Sequence, residues 1–338
     1  MTAIKVDFSI FIFASTTVMG VGALMGLIEL KYLDLFFVSK SFGLRLLAKL
    51  FIYYLAIFLI ILILFPLAAS LELNTSILDR QVWVKYFTYL GSYTYLSTVL
   101  QLTVSLMLSL FYSEISDFIG QRIFLNFFTG KYYQPVEEER IFMFADMKSS
   151  TTIAESMGHV EYFKLLSAYY RCFTDAIIES GGEIYQYVGD EIILSWKLRH
   201  DTSDNQPLEC FFAMKKSLSE KRSWFNAQFG FAPVFKAAIH LGKVTTGEIG
   251  VIKKEILFTG DVLNATARIQ SLCNDYETNL IVSDRFRRQV AARSHYVFSF
   301  LDQAHLRGKK YKIDLFTVND HTNLISPSSR PSYRSDFS

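Results

Sequence analysis

The chain has 338 residues, of which 51% are hydrophobic and 20% are charged, and its formal net charge at pH 7 is +2. This length is enough for about two domains, and the apolar composition excludes an intrinsically disordered chain and one that coats nucleic acid. The three cysteines, Cys172, Cys210 and Cys273, show no metal-ligand spacing and no even count for a disulfide framework, which is typical of a reducing compartment.

Charged residues are unevenly distributed along the chain. Residues 1–117 carry seven Lys or Arg and seven Asp or Glu, 14 charges in 117 residues. Residues 118–338 carry the other 27 and 25, so the charged fraction doubles from about 12% to about 24%. A change of this size predicts a domain boundary near residues 115–135.

Three runs in the apolar segment contain no charged residue, and they cover residues 8–28, 50–71 and 86–113. A helix of about 20 residues crosses a bilayer, so the runs predict three transmembrane helices in a domain over residues 1–113. The alternatives are helices buried in a soluble core and, for the first run, a secretory signal peptide. Three such runs in succession disfavour the former, and the length of the first run disfavours the latter. The predicted partner of this domain is therefore a lipid bilayer.

The charges of the loops between these runs predict the orientation of the helices. The first loop contains four basic residues, Lys31, Lys40, Arg45 and Lys49, and the second contains only Arg80 and Lys85. The positive-inside rule therefore places the first loop in the cytoplasm. With three crossings, the N terminus lies outside and all residues after Ser113 lie in the cytoplasm.

The remaining elements follow in chain order. Residues 114–140 are predicted to be an interfacial connector, because aromatic and basic residues are mixed in this segment and Pro135 then ends any helix. From residue 141, strands and amphipathic helices alternate, including a hairpin around Gly189-Asp190. The Ser-, Pro- and Arg-rich residues 319–338 are predicted to be a disordered tail.

Two carboxylates suggest the chemistry of the second half. Asp146 follows a buried strand and Asp190 lies at the tip of the hairpin, so neighbouring strands would direct both side chains to one point. Paired carboxylate oxygens favour Mg²⁺ or Mn²⁺. A polar turn after Asp146 leads into a helix N terminus, which suits a phosphate group; its candidate ligands are Ser149, Ser150 and Thr151. The combination suits phosphoryl or nucleotidyl transfer, although an Asp at a strand end also serves as a cap or turn residue.

Four segments then carry a resemblance. They are FMFADMKSSTTIAE (142–155), GGEIYQYVGDE (181–191), IHLGKVTTGEIG (239–250) and TGDVLNATARI (259–269). In order and spacing they resemble the class III nucleotide cyclase catalytic domain over about residues 138–318, and the whole chain resembles bacterial membrane-anchored adenylate/guanylate cyclase-domain proteins. The resemblance implies an N-terminal all-α transmembrane region and a C-terminal α+β catalytic domain over residues 141–318, with the ferredoxin-like, palm-type βαββαβ fold. It also implies a multi-pass protein of the bacterial inner (plasma) membrane.

The resemblance assigns roles to particular residues. It implies that Asp146, Asp190 and the backbone carbonyl of Met147 bind two Mg²⁺ or Mn²⁺ ions per site. Asn264 and Arg268 match the residues that orient the ribose and stabilise the pentavalent phosphorane. Their spacing of four places both on one helix face.

The substrate implied is a nucleoside triphosphate, which is converted to a 3′,5′-cyclic nucleotide and pyrophosphate. Arg307 falls where the family has a triphosphate-binding Lys. The metal site and the Asn/Arg pair come from different protomers in this family, so the resemblance implies a homodimer. No nucleic-acid partner is expected.

The base and the activity itself stay open at this point. Gln186 and Leu257 fall on the two base-selecting positions of the family and match neither the ATP nor the GTP pattern. ATP is favoured, GTP comes next, and a pyrimidine nucleotide is a further alternative. A one-residue register error would place Thr259 in the pocket instead. Two further alternatives are a catalytically silent pseudocyclase that binds nucleotide and a diguanylate cyclase. The hairpin sequence disfavours the latter.

Overall fold

The computed structural model describes residues 8–29, 31, 41–120, 129–198, 205–290, 295–306 and 311–320. The chain divides into two compact units, residues 1–129 and residues 130–338. Unit 1 is helical, and unit 2 is built around a mixed sheet.

Unit 1 contains four helices in its described residues, α1 (Phe8–Ile28), α2 (Phe42–Leu73), α3 (Arg80–Leu90) and α4 (Tyr93–Ile119). Among the residues that the structure describes, two helices are long and apolar enough to cross a membrane, over Phe42–Leu73 and Tyr93–Ser116. The first predicted span coincides with α1, which has 21 residues, and its role as a span stays a prediction.

The prediction of one helix over residues 86–113 is wrong. The chain turns at Gly91 between α3 and α4, and the Ser92 side chain accepts a hydrogen bond from the Tyr95 backbone N–H at 3.2 Å. A serine in this position satisfies one of the free N–H groups at a helix start. Residues 86–90 therefore belong to α3, a separate helix of 11 residues.

A buried group of ion pairs joins three segments of unit 1. Lys49 of α2 is 2% exposed, and its Nζ lies 2.8 Å from Glu29 Oε1 and 3.2 Å from Glu114 Oε1. Arg45 Nη1 lies 3.1 Å from Glu114 Oε2. Because buried charges are stable only when they are paired, these contacts hold the end of α1, the start of α2 and the end of α4 together.

Unit 2 consists of one eight-stranded sheet with helices between its strands. The strands are β1 (Val136–Met147), β2 (Glu183–Val188), β3 (Glu191–Lys197), β4 (Phe235–Ile249), β5 (Glu255–Thr259), β6 (Leu280–Ser283), β7 (Tyr296–Ala304) and β8 (Ile313–Asp320). The helices are α5 (Ser150–Met157), α6 (His159–Arg171), α7 (Thr174–Glu179), α8 (Gln206–Glu220), α9 (Arg222–Phe229), α10 (Asp261–Ser271) and α11 (Asp284–Arg287).

The strand order is β2-β3-β1-β4-β6-β8-β7, with β5 paired to β4. The pairs β1–β3, β2–β3 and β1–β4 are antiparallel, so β1 to β4 with their helices form the predicted βαββαβ unit. The predicted α+β class is thereby confirmed. Helices α5 and α6 are separated at Gly158, whose φ of +79° is a conformation that favours glycine.

The two faces of β1 pack against different helices. Ile141 and Met143 belong to the main core with α6 and α8, whereas Phe142 and Phe144 pack on the opposite face with Val262 of α10. Alternate side chains of a strand point to opposite faces, so Asp146 shares the face of Phe142 and Phe144. This face carries the candidate site.

The predicted connector over residues 114–140 is too long at both ends. Glu114 belongs to α4, and β1 begins at Val136. Arg140 is 1% exposed and is paired with Glu138 and Glu183, so these two charged residues of the strand, Glu138 and Arg140, are buried, whereas Glu137 is exposed. Residues 121–128, where an interfacial segment is predicted, lie outside the described residues. The same holds for residues 321–338 of the predicted tail, whereas residues 319 and 320 end β8.

Candidate active site

Asp146 stands near the end of β1, between two other charged residues. In the antiparallel register it lies opposite Glu191 on β3 and Lys236 on β4. Lys236 Nζ lies 3.6 Å from Asp146 Oδ2, and both side chains are largely buried. The strand pairing therefore defines the surroundings of this carboxylate on both sides.

Asp190 occupies a two-residue turn between β2 and β3. Val188 pairs with Glu191 across the turn, and Gly189 has a φ of +63°. A positive φ at the first turn residue is what the tight hairpin turns require, and glycine adopts it without strain. Asp190 is half-buried, and its Oδ2 atom is buried without a hydrogen-bond partner.

The two aspartates contact each other, as the sequence predicts. Burial and, after it, interaction with the neighbouring Asp190 together raise the pKa of Asp146 to about 7, whereas Lys236 opposes the shift. Burial and the charge of Asp190 also raise the pKa of Glu191. At this edge of the sheet, the charge of Asp190 thus adds to the effect of burial on both carboxyl groups.

This arrangement fits a divalent cation. Two carboxyl groups in contact and a buried carboxylate oxygen without a partner supply the hard oxygen ligands that Mg²⁺ and Mn²⁺ prefer. Met147, whose carbonyl is the third predicted ligand, is the last residue of β1. Among the described residues, no group of three or more His, Cys, Asp or Glu side chains is placed to hold a metal ion.

The predicted phosphate-binding turn lies directly after β1. Ser149 has a φ of +58° and precedes α5, which begins at Ser150. Ser149 and Thr151 are exposed and Ser150 is half-buried. The Ser150 side chain lies beside the hydroxyl of Tyr162 on α6. The turn and the two aspartates thus lie at the same end of β1.

Asn264 and Arg268 lie on α10, which packs across the same face of the sheet. Val262, Ala265 and Ile269 form its buried side, whereas Asn264 is exposed and Arg268 is half-buried. In the described contacts, Asn264 has no hydrogen bond to either aspartate. The amide is therefore accessible to a second molecule.

Gln186 and Leu257 lie on strands that are linked by their neighbouring residues. Tyr185 and Phe258 have ring centroids 4.7 Å apart, and the Tyr185 hydroxyl accepts a hydrogen bond from the Phe258 backbone N–H at 3.4 Å. Gln186 is exposed and Leu257 is 36% exposed. Strands β2 and β5 are thus in contact through the residues next to Gln186 and Leu257. Arg307 lies outside the described residues.

Lys236 is a site residue that the sequence analysis missed. Its contact with Asp146 depends on the pairing of β1 with β4, about 90 residues later in the chain. The available signal was its charge, since Lys236 is a lysine inside the otherwise apolar start of a strand.

Comparison with known proteins agrees with the fold of unit 2. The family described as "Adenylate and Guanylate cyclase catalytic domain" matches residues 132–320, more than half of the chain. The chain therefore belongs to the adenylate and guanylate cyclase catalytic domain family.

Individual relatives are similar over the same part of the chain. Adenylate cyclase 2 of Rhizobium meliloti (strain 1021) is 28% identical over 209 residues, 62% of this chain and 58% of that protein. The adenylate cyclase of Anabaena cylindrica is 26% identical over 182 residues, 52% of this chain and 36% of that protein.

The solved structure of a bacterial light-regulated adenylyl cyclase has a similar fold, with a TM-score of 0.53 and 19% identity over 66% of this chain and 64% of that one. The chain thus spans less than two thirds of the length of each of these three relatives.

Proposed function

We propose that the protein is a membrane-anchored nucleotide cyclase that converts a nucleoside triphosphate, with ATP favoured, to a 3′,5′-cyclic nucleotide and pyrophosphate. The observation that carries the proposal is the contact between Asp146 and Asp190. The Oδ2 atom of Asp190 is buried at this point and has no hydrogen-bond partner. Membership of the cyclase family supplies the class of reaction.

The carboxylates of Asp146 and Asp190 and the carbonyl of Met147 would hold two divalent ions. Bound Mg²⁺ or Mn²⁺ would neutralise the triphosphate and lower the pKa of the ribose 3′-hydroxyl. Without a metal, burial and, after it, the neighbouring Asp190 raise the pKa of Asp146 to about 7, so part of the molecules carry a proton on this carboxyl group near pH 7. The site is therefore prepared to exchange that proton for a cation.

The reaction proceeds within one substrate molecule. The 3′-oxygen attacks the α-phosphorus and loses its proton, a new phosphorus–oxygen bond closes the ring, and the bond to the β-phosphate oxygen breaks to release pyrophosphate. Asn264 orients the ribose, and the guanidinium of Arg268 donates hydrogen bonds to the oxygens of the α-phosphate. A planar guanidinium matches these oxygens, and loss of such a donor typically costs about 10²–10³ in rate.

The active protein in this proposal is a homodimer. The exposed Asn264 on α10 supports this reading, because its amide is open to a second protomer. Each of two composite sites would combine Asp146 and Asp190 of one subunit with Asn264 and Arg268 of the other, as two-fold symmetry requires. Arg307 and the turn of residues 149–151 would bind the triphosphate.

The proposed location is the bacterial plasma membrane, with the catalytic unit in the cytoplasm. The two apolar helices of 32 and 24 residues support a membrane anchor, and the basic residues between the first and second predicted spans support the orientation.

The proposal is tested by assaying the purified full-length protein with Mn²⁺ and each of ATP, GTP, CTP and UTP. ATP is expected to give the highest rate. The other three triphosphates are expected to react more slowly, because Gln186 can donate and accept hydrogen bonds and Leu257 can do neither, so this pair does not specify a single base. Asp146→Asn should abolish the activity, and Asp175→Asn, which changes an exposed carboxylate on α7, should retain it. The enzyme proposal fails if the wild-type protein makes no cyclic nucleotide from any of the four. Tight triphosphate binding without release of pyrophosphate would instead identify a pseudocyclase.

A further inference from the structure

Tyr170 of α6 connects this helix to the turn that carries Asp190. Its hydroxyl donates a hydrogen bond to the backbone carbonyl of Gly189 at 2.8 Å. Its ring lies against the ring of Tyr187 on β2, with centroids 4.6 Å apart and an interplanar angle of 60°. The turn is thus held at two points, one before Gly189 and one at Gly189 itself.

The position of the Asp190 carboxylate depends on this turn. Its buried Oδ2 has no hydrogen-bond partner, so no hydrogen bond fixes that oxygen directly. Gly189 has a positive φ and no side chain, and such a residue costs the most conformational entropy to fix in one geometry. An external hydrogen bond at Gly189 is therefore well placed to limit the motion of the carboxylate.

The same helix also contacts the segment that follows the other aspartate. Tyr162, eight residues before Tyr170, lies beside Ser150, the first residue of α5. Eight residues of an α-helix span about 12 Å. Helix α6 thus contacts the chain close to both Asp146 and Asp190.

We propose that Tyr170 is a positioning residue for the metal site, whose hydroxyl holds the turn at residues 189–190 so that the Asp190 carboxylate lies beside Asp146. This inference rests on the proposed function for its metal. Phenylalanine would fill the same space as Tyr170. Only the hydroxyl group therefore distinguishes Tyr170 from a residue that serves packing alone.

The test compares Tyr170→Phe with Tyr187→Phe in the full-length protein. The first variant removes the hydroxyl and keeps the ring against Tyr187. The second is a matched control, because Tyr187 is 50% exposed and its hydroxyl has no hydrogen bond in the described part of the chain. Binding of Mn²⁺ is measured from the electron paramagnetic resonance signal of the free ion, and cyclase activity is measured as a function of the Mn²⁺ concentration.

For Tyr170→Phe we expect the Kd of Mn²⁺ and the Mn²⁺ concentration for half-maximal activity to rise about 3- to 10-fold, the effect of one hydrogen bond. The KM for the triphosphate at saturating Mn²⁺ should stay within about twofold of wild type, since the variant touches no substrate group. Tyr187→Phe should match wild type in both assays. If Tyr170 contributed only to the stability of the fold, Tyr170→Phe would lower the unfolding midpoint. It would not weaken Mn²⁺ binding selectively while the KM for the triphosphate stayed unchanged.

Wild-type Mn²⁺ affinity in Tyr170→Phe overturns the inference, and so does an equal loss in both variants. Mn²⁺ binding by a wild-type protein that makes no cyclic nucleotide would refute the proposed function alone, and a weaker Kd in Tyr170→Phe would then still support the positioning role. A wild-type protein that binds no Mn²⁺ would refute both.

Discussion

Replacement of Asp146 by Asn should stabilise the catalytic unit when no metal is present. Burial, followed by contact with Asp190, raises the pKa of Asp146 from 3.8 to about 7. The folded state therefore binds more protons than the unfolded state between these two values, so stability falls as the pH rises through this window. The penalty is fully present above about pH 7 and is absent below about pH 4. Asn carries no charge, and its amide can donate a hydrogen bond to Asp190.

The size of the gain follows from the shift and from the exposure of the side chain. One pKa unit corresponds to about 1.4 kcal/mol, so a shift from 3.8 to about 7 sets an upper limit of about 4 kcal/mol. The Asp146 side chain is 24% exposed, and screening by water reduces the effect. We expect Asp146→Asn to raise the free energy of unfolding by about 1–2 kcal/mol at pH 8. At pH 5 about a third of this gain should remain.

The assay is urea unfolding of the full-length protein in detergent with EDTA, followed by tryptophan fluorescence. A Trp83→Phe background leaves Trp196 and Trp224 as the only tryptophans, both in unit 2. Trp196 is 5% exposed and donates a hydrogen bond to the Ser180 carbonyl, so its emission reports the core. The gain corresponds to an increase of about 0.5 M in the urea midpoint.

Addition of Mn²⁺ should reverse the order of the two proteins. Binding to the folded state stabilises the wild type by mass action, whereas Asp146→Asn has lost a ligand and should gain little. Asp175→Asn should show no gain under any of these conditions. The electrostatic reasoning is refuted if Asp146→Asn is no more stable than wild type at pH 8 in EDTA, or if its gain is the same at pH 5.

Two further predictions concern packing. Lys49→Ala should lower the stability of unit 1 by about 3–5 kcal/mol, because it leaves buried Glu29 and Glu114 without their shared cation; thermal unfolding in detergent measures the loss, and an unchanged melting temperature would contradict it. Gly242→Ala should destabilise unit 2 by about 1–3 kcal/mol, because the added Cβ would lie 2.7 Å from Val262 Cβ where α10 crosses β4. Adding Val262→Ala should restore most of that loss, and failure of this rescue would show that α10 does not limit the space at Gly242.

The convergence of the two aspartates was predictable from the sequence, because both positions have local signals. A buried strand ends near Asp146, and a Gly-Asp pair between two strands marks a hairpin turn before Glu191. Since β1 pairs with β3, local turn geometry and one strand pairing are sufficient to bring the carboxylates together.

Features that depend on distant pairing were not predictable in the same way. Lys236 reaches Asp146 only because β4 lies beside β1, and no local pattern specifies that register. Arg140 and Glu138 are predicted to belong to the connector, because this segment is polar and charged residues are rarely buried. In the fold they neutralise each other, and Arg140 also contacts Glu183 on another strand. Similarly, hydropathy did not indicate the break between α3 and α4 at Gly91, because both flanking segments are apolar.

The central claim is that each active site combines the carboxylates of one protomer with Asn264 and Arg268 of the other, and coexpression of two inactive variants tests it most directly. Asp146→Asn and Arg268→Ala should each have almost no cyclase activity alone. In a random mixture half of the dimers are mixed, and each mixed dimer has one site with both sets intact, so activity should return to about a quarter of wild type. If the mixture stays as inactive as the separate variants while copurification shows mixed dimers, the sites are not shared between protomers and the account is wrong.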